Sequence, residues 1–144
     1  GCKKMSVLQA FLHPVEVEDT KKVVISKRFV DENGKPVPFE IKAISQEENN
    51  RLMKSKTRGK VINGQKVEIF DNPGYTSALV LACTVQPDFS DEEMCKAYGC
   101  IDPAAVPEKM LRAGEYTALV QEILSFSGFD ADRKIREDEE AKNS

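Results

Sequence analysis

Apolar and polar residues alternate through much of the first half of the chain and fall at helical spacing in the second. Lys22–Val30 (Lys-Val-Val-Ile-Ser-Lys-Arg-Phe-Val) has the β-branched and aromatic content of a strand. Asp31-Glu-Asn-Gly34 supplies turn chemistry, and Asn33-Gly34 is the strongest short hairpin signal. The returning strand, Val37–Ile44, sets Val37, Phe39, Ile41 and Ala43 on one face, while Pro36 and Pro38 put its start at a sheet edge. Ser45-Gln-Glu-Glu48 reads as a capping box opening a helix to about Lys56, ending near Gly59. The apolar content of that helix is thin, Leu52 and Met53, so it lies on the surface. The cations at 54, 56, 58 and 60 fit a helix C-terminus. Lys60–Phe70 carries a second Asn-Gly, Asn63-Gly64, and reads as a tight hairpin with short arms.

From Asp71 the period changes. Asp71-Asn72-Pro73 is a helix start, a capping oxygen followed by proline in the first turn. Tyr75–Val85 is apolar on all sides and therefore buried; the start signal favours helix over buried strand. Ser90-Asp-Glu-Glu93 opens a short helix ending near Gly99, and Asp102-Pro103 opens another through about Leu111. In the last helix Tyr116, Leu119, Val120, Ile123 and Leu124 follow the i, i+3, i+4, i+7, i+8 template. Gly128 suits the left-handed position after it, with Phe129 folding back. The predicted fold class is α+β: N-terminal β-hairpins with a C-terminal helical, bundle-like half, in one domain over residues 22–129.

Residues 1–21 read as an arm with a short helix. Val7, Leu8, Phe11 and Leu12 share one helical face before Pro14. Two helical turns do not hold together alone in water, so the segment needs its own domain or a partner to dock on. Beyond residue 129, ten of fifteen residues are charged, with net charge −2. Such a tail is a solvated helical extension or disordered.

Composition narrows the function. The 144 residues carry 21 basic and 24 acidic side chains, a formal net charge of −3. The charge balance lacks the basic excess typical of nucleic-acid binding, and no apolar run approaches the ~18 residues of a membrane span. Gly1–Met5 has two lysines and no long apolar core, so the expected compartment is the cytoplasm, with reduced thiols. Cys95 and Cys100 have a ligand-like spacing, but a closed zinc site needs four ligands. The further candidates, Cys2, Cys83 and His13, are scattered along the chain. No cofactor is expected. His13 is the sole histidine and has no partner fixed in sequence for nucleophilic or acid–base work; the glutamate pairs at 47–48 and 92–93 sit in first helical turns, where the helix dipole accounts for them. No enzyme is expected.

Several ordered stretches remain: Val24–Phe39 (Val-Ile-Ser-Lys-Arg-Phe-Val-Asp-Glu-Asn-Gly-Lys-Pro-Val-Pro-Phe), Ile44–Glu48, Pro87–Glu93, Tyr98-Gly99, Lys109–Tyr116 (Lys-Met-Leu-Arg-Ala-Gly-Glu-Tyr) and Ser127-Gly-Phe129. Their order resembles that of the phage tail assembly chaperones of the XkdN-like type, over about residues 8–129. The resemblance implies a non-catalytic protein of the host cytoplasm that binds the tape measure protein. It would keep that long helical chain soluble until tail tube subunits polymerise around it, and be absent from the mature virion. It also implies recruitment of tail tube protein through a frameshifted longer form; homo-oligomers are expected from the arm itself, whose apolar face would dock on a neighbouring subunit or on the client. No active residues carry over, because the family is not defined by a catalytic motif. The candidate contact residues are Val7, Leu8, Phe11 and Leu12 of the arm, with Phe89, Tyr98 and Tyr116, which lie in the matching stretches. The competing readings are a structural tail or neck component and a metal-binding protein using Cys95 and Cys100.

Overall fold

The computed structural model describes residues 6–129. The tail expected over residues 130–144 lies outside them. The fold is α+β. Three short strands, β1 (Thr20–Val23), β2 (Phe39–Lys42) and β5 (Thr84–Gln86), form an antiparallel sheet in the order β1-β2-β5. A separate two-stranded sheet pairs β3 (Thr57–Ile62) with β4 (Gln65–Phe70). The helices are α1 (Val7–Leu12), α2 (Gln46–Ser55), α3 (Asn72–Cys83), α4 (Glu92–Ala97), α5 (Val106–Met110) and α6 (Ala113–Phe126), with a 3-10 turn over Pro103–Ala105.

Local chemistry sets most boundaries. Ser45 Oγ accepts the Glu48 N–H and caps α2. Asp71 accepts the Gly74 N–H and caps α3, with Pro73 in the first turn, where its missing N–H is harmless. Asn63 and Gly64 both take positive φ, 54° and 79°, as a two-residue hairpin turn requires. At the end of α6, Gly128 has φ 92°, its N–H donates to the Ser125 carbonyl, and the Phe129 N–H donates to the Leu124 carbonyl. These paired bonds satisfy carbonyls that a helix end otherwise leaves open. The same motif ends α4 through Gly99 and Cys100.

The first hairpin differs from its sequence reading. β1 begins at Thr20 and stops at Val23, so Val24–Val30 is not a strand despite its composition. Ser26 Oγ takes the Arg28 N–H, which bends the chain away from the sheet. The Asn33-Gly34 turn closes a smaller loop, with Asp31 accepting from the Asn33 and Lys35 N–H groups and a single bridge between Val30 and Pro36. Ala43 is exposed and Ile44 is buried, because the chain turns into α2 after Lys42. The β3–β4 arms are six residues each rather than short, and Gly59 lies inside β3 instead of ending α2. α3 stops at Cys83, since Thr84–Gln86 pairs with β2. Asp91 rather than Ser90 caps α4, accepting the Glu93 N–H.

One core joins the three-stranded sheet to α3, α5 and α6. Phe39 and Ile41 of β2, Leu79, Val80 and Cys83 of α3, and Leu119 and Ile123 of α6 are sealed together with Phe89, Val106 and Met110. Burial of these apolar side chains is the main stabilising term. Ser127 Oγ accepts the Ile44 N–H at 3.0 Å, which fastens the end of α6 to the start of α2.

Candidate partner-binding surface

α1 displays its whole apolar face. Ser6 caps it by accepting the Gln9 N–H, and none of its six residues is buried. Val7, Leu8, Phe11 and Leu12 are 57–79 % exposed. The extended segment that follows adds Val15 and Val17, also exposed. Large apolar side chains clustered in water mark an interaction surface more often than a resting one.

The other three candidates lie elsewhere. Phe89 is 1 % exposed and packs in the core, so its ring is unavailable to a partner while the domain stays folded. Tyr98, at the end of α4, and Tyr116, in α6, are half-buried against the same core. Burial also raises the Tyr116 hydroxyl pKa above its ordinary value. The arm is thus the part of the proposed set that stands clear of the core.

Sequence reading missed a second exposed surface, the β3–β4 hairpin. Its register places Arg58, Lys60 and Ile62 on one face with Gln65, Val67 and Ile69, and all six are exposed. At its base the Phe70 ring packs on Tyr75, with centroids 5.6 Å apart, and Tyr75 donates to Asn49 of α2. The signal was present in the period-2 pattern, which mixes cations and β-branched residues on one face instead of presenting a clean apolar side.

The motif stretches meet in space and hold the fold together. Arg28 forks onto Glu115 at the start of α6, with Nε donating to Oε2 at 3.2 Å and Nη2 to Oε1 at 2.5 Å. Nη2 also donates to the Met110 carbonyl, and the guanidinium stacks 4.9 Å from the Phe29 centroid. Glu115 further accepts the Arg112 N–H at 2.8 Å. Hydrogen bonding from Arg28 first, then from Ser26 and the Arg112 backbone, holds Glu115 well below the usual carboxylate range, at about 2.

Cys83, Cys95 and Cys100 carry free thiols. Cys95 donates to the Phe89 carbonyl and Cys100 to the Tyr98 carbonyl, each closing a local bond of its own. Burial pushes the Cys83 thiol up to about 11. Among the described residues no three His, Cys, Asp or Glu side chains gather as a metal site. A cleft of about 410 Å³ beside α3 is lined by Ser77, Leu81, Asp102 and Glu108, and Ser77 donates to Glu108 across it.

The exposed apolar arm and the buried, hydrogen-bonded motif residues stand in a chain whose class is given by its relatives. Residues 8–142 match the family described as Phage XkdN-like tail assembly chaperone protein. The chain belongs to that family. It is similar to the phage-like element PBSX protein XkdN of Bacillus subtilis (strain 168), at 35 % identity over 131 residues, covering 90 % of this chain and 87 % of the relative. YqbN of the same strain is 37 % identical over 131 residues, with the same coverage. The crystal structure of YqbN superposes with a TM-score of 0.68 at 30 % identity, covering 89 % of this chain and all of the other.

Proposed function

We propose that this chaperone binds the phage tape measure protein through its N-terminal arm and keeps it soluble until the tail tube forms around it. The observation that carries the reading is the exposed apolar face of α1, Val7, Leu8, Phe11 and Leu12, in a member of the tail assembly chaperone family. A short amphipathic helix on an extended tether can lay its apolar side against a helical client, with anchors at i and i+4. The client is long, so several copies bound side by side would gain by avidity what each short arm lacks in affinity.

In this reading the work needs no catalysis. It takes place in the host cytoplasm, and the chaperone is displaced before the virion is complete. A longer frameshifted form would bring tail tube protein to the same client. The test is co-expression with the tape measure protein followed by pull-down. The wild type should retain the client, and Phe11→Asp with Leu12→Asp should lose it while keeping its circular dichroism spectrum. Equal retention by both would rule out the arm, and loss of the fold in the variant would make α1 part of the core.

A further inference from the structure

The β3–β4 hairpin is a two-stranded sheet, exposed on both faces along nearly all its length. Such a ribbon is marginal alone in water and is made stable by further strands or by packing against a helix, which here reaches only its base through Phe70 and Tyr75. Its outer edges carry backbone N–H and C=O groups with no strand beside them among the described residues. The two edges differ in charge. β3 offers Arg58 and Lys60 on one face, opposite Ile69 and Val67 of β4 rather than opposite carboxylates. Neither cation forms an ion pair among the described residues. β4 interrupts its own basic character with Glu68.

The same chain holds a matching strand. Val15-Glu16-Val17-Glu18 between α1 and β1 is exposed and outside any sheet, with valine and glutamate strictly alternating. Laid along β3, it would set Glu16 and Glu18 on the face of Arg58 and Lys60. Val15 and Val17 would then share the face of Gly59 and Val61. Alternation at period 2 matches acid to base and apolar to apolar in one register.

We propose that Val15–Glu18 of one copy adds as a third strand to the β3 edge of a second copy. Each chain then has one donor strand and one acceptor edge. Such contact is head-to-tail and propagates into a ring or an open array. This goes beyond the side-by-side binding of copies in the function proposed above and is tested without the client, so its failure leaves client capture by α1 standing or falling on the pull-down alone.

The test is sedimentation velocity on the full chain with two charge-reversed variants, Glu16→Lys with Glu18→Lys and Arg58→Glu with Lys60→Glu. All four positions are exposed, and circular dichroism checks the fold. Wild type should associate with a constant that weakens at least about tenfold in either variant, as expected where close charge pairs carry the contact. An equimolar mixture of the two variants should associate like wild type, because each arm then meets an edge of opposite charge in the other chain. Three results would overturn the proposal. They are a wild type that stays monomeric at every concentration, variants that associate as wild type does, and a mixture that stays monomeric. Should a double variant misfold, raising salt from about 0.05 to about 0.5 M on the wild type gives the same reading, since screening must weaken an acid–base edge. Salt-independent association would then overturn it.

Discussion

Phe89 and Phe11 lie at opposite extremes of burial, 1 % and 79 % exposed. The Phe89 side chain packs with the core of α3, α5 and α6. Phe89→Ala removes a ring from that core and leaves a cavity, which costs about 3–5 kcal/mol in comparable sites. A domain of ordinary stability has about 5–15 kcal/mol in total, so the variant loses a large share of it. For a domain of this size the midpoint should fall by on the order of 10 °C or more. Phe11→Ala is the control: at 79 % exposure it should shift stability by no more than about 0.5 kcal/mol. Urea unfolding followed by circular dichroism measures both. Phe89 is not a core residue if Phe89→Ala unfolds within about 0.5 kcal/mol of wild type, or if Phe11→Ala is the more damaging change.

Other consequences follow from single groups. Glu115 is held at about 2 against an ordinary 4.5, so its contribution is complete above the higher value and fades as pH falls from 4.5 to 2. Glu115→Gln should therefore lower stability near neutral pH and flatten the acid limb of a stability–pH curve; an acid limb of unchanged slope would refute this. Cys83, with its thiol near 11 and no exposure, should resist alkylation at pH 8 in the folded protein, while Cys95 and Cys100 label. Peptide mass spectrometry reads this out, and rapid labelling of Cys83 would contradict its burial. Gly64→Val puts a β-branched residue at φ 79° and should fray the hairpin while leaving the main unfolding transition in place. Hydrogen exchange confined to β3 and β4 would show it, and an unchanged exchange pattern would count against the turn geometry.

Where a boundary is set by neighbours in sequence, it was readable. The Asn63-Gly64 turn, the Asp71-Asn72-Pro73 start of α3 and the Gly128 end of α6 each need only local residues. Where a distant partner decides, local pattern misled. Val24–Val30 has strand composition, yet the Ser26 turn and the reach of Arg28 to Glu115, 87 residues away, hold it as a loop. Thr84-Val85 continues an apolar helical run, yet β2 draws it into the sheet. The candidate surface divides in the same way. Four apolar residues ahead of Pro14 form a helix too short to bury itself, so the exposure of α1 was legible. An aromatic in a motif is equally suited to core or contact, so Phe89 could be placed only by the fold around it.

The most direct test is the solubility of the tape measure protein itself. Expressed alone it should pellet; co-expressed with the wild-type chain it should remain in the supernatant as a complex; with Phe11→Asp and Leu12→Asp it should pellet again. A tape measure protein that pellets beside the wild type, or that stays soluble beside the folded double variant, would contradict client capture by the arm.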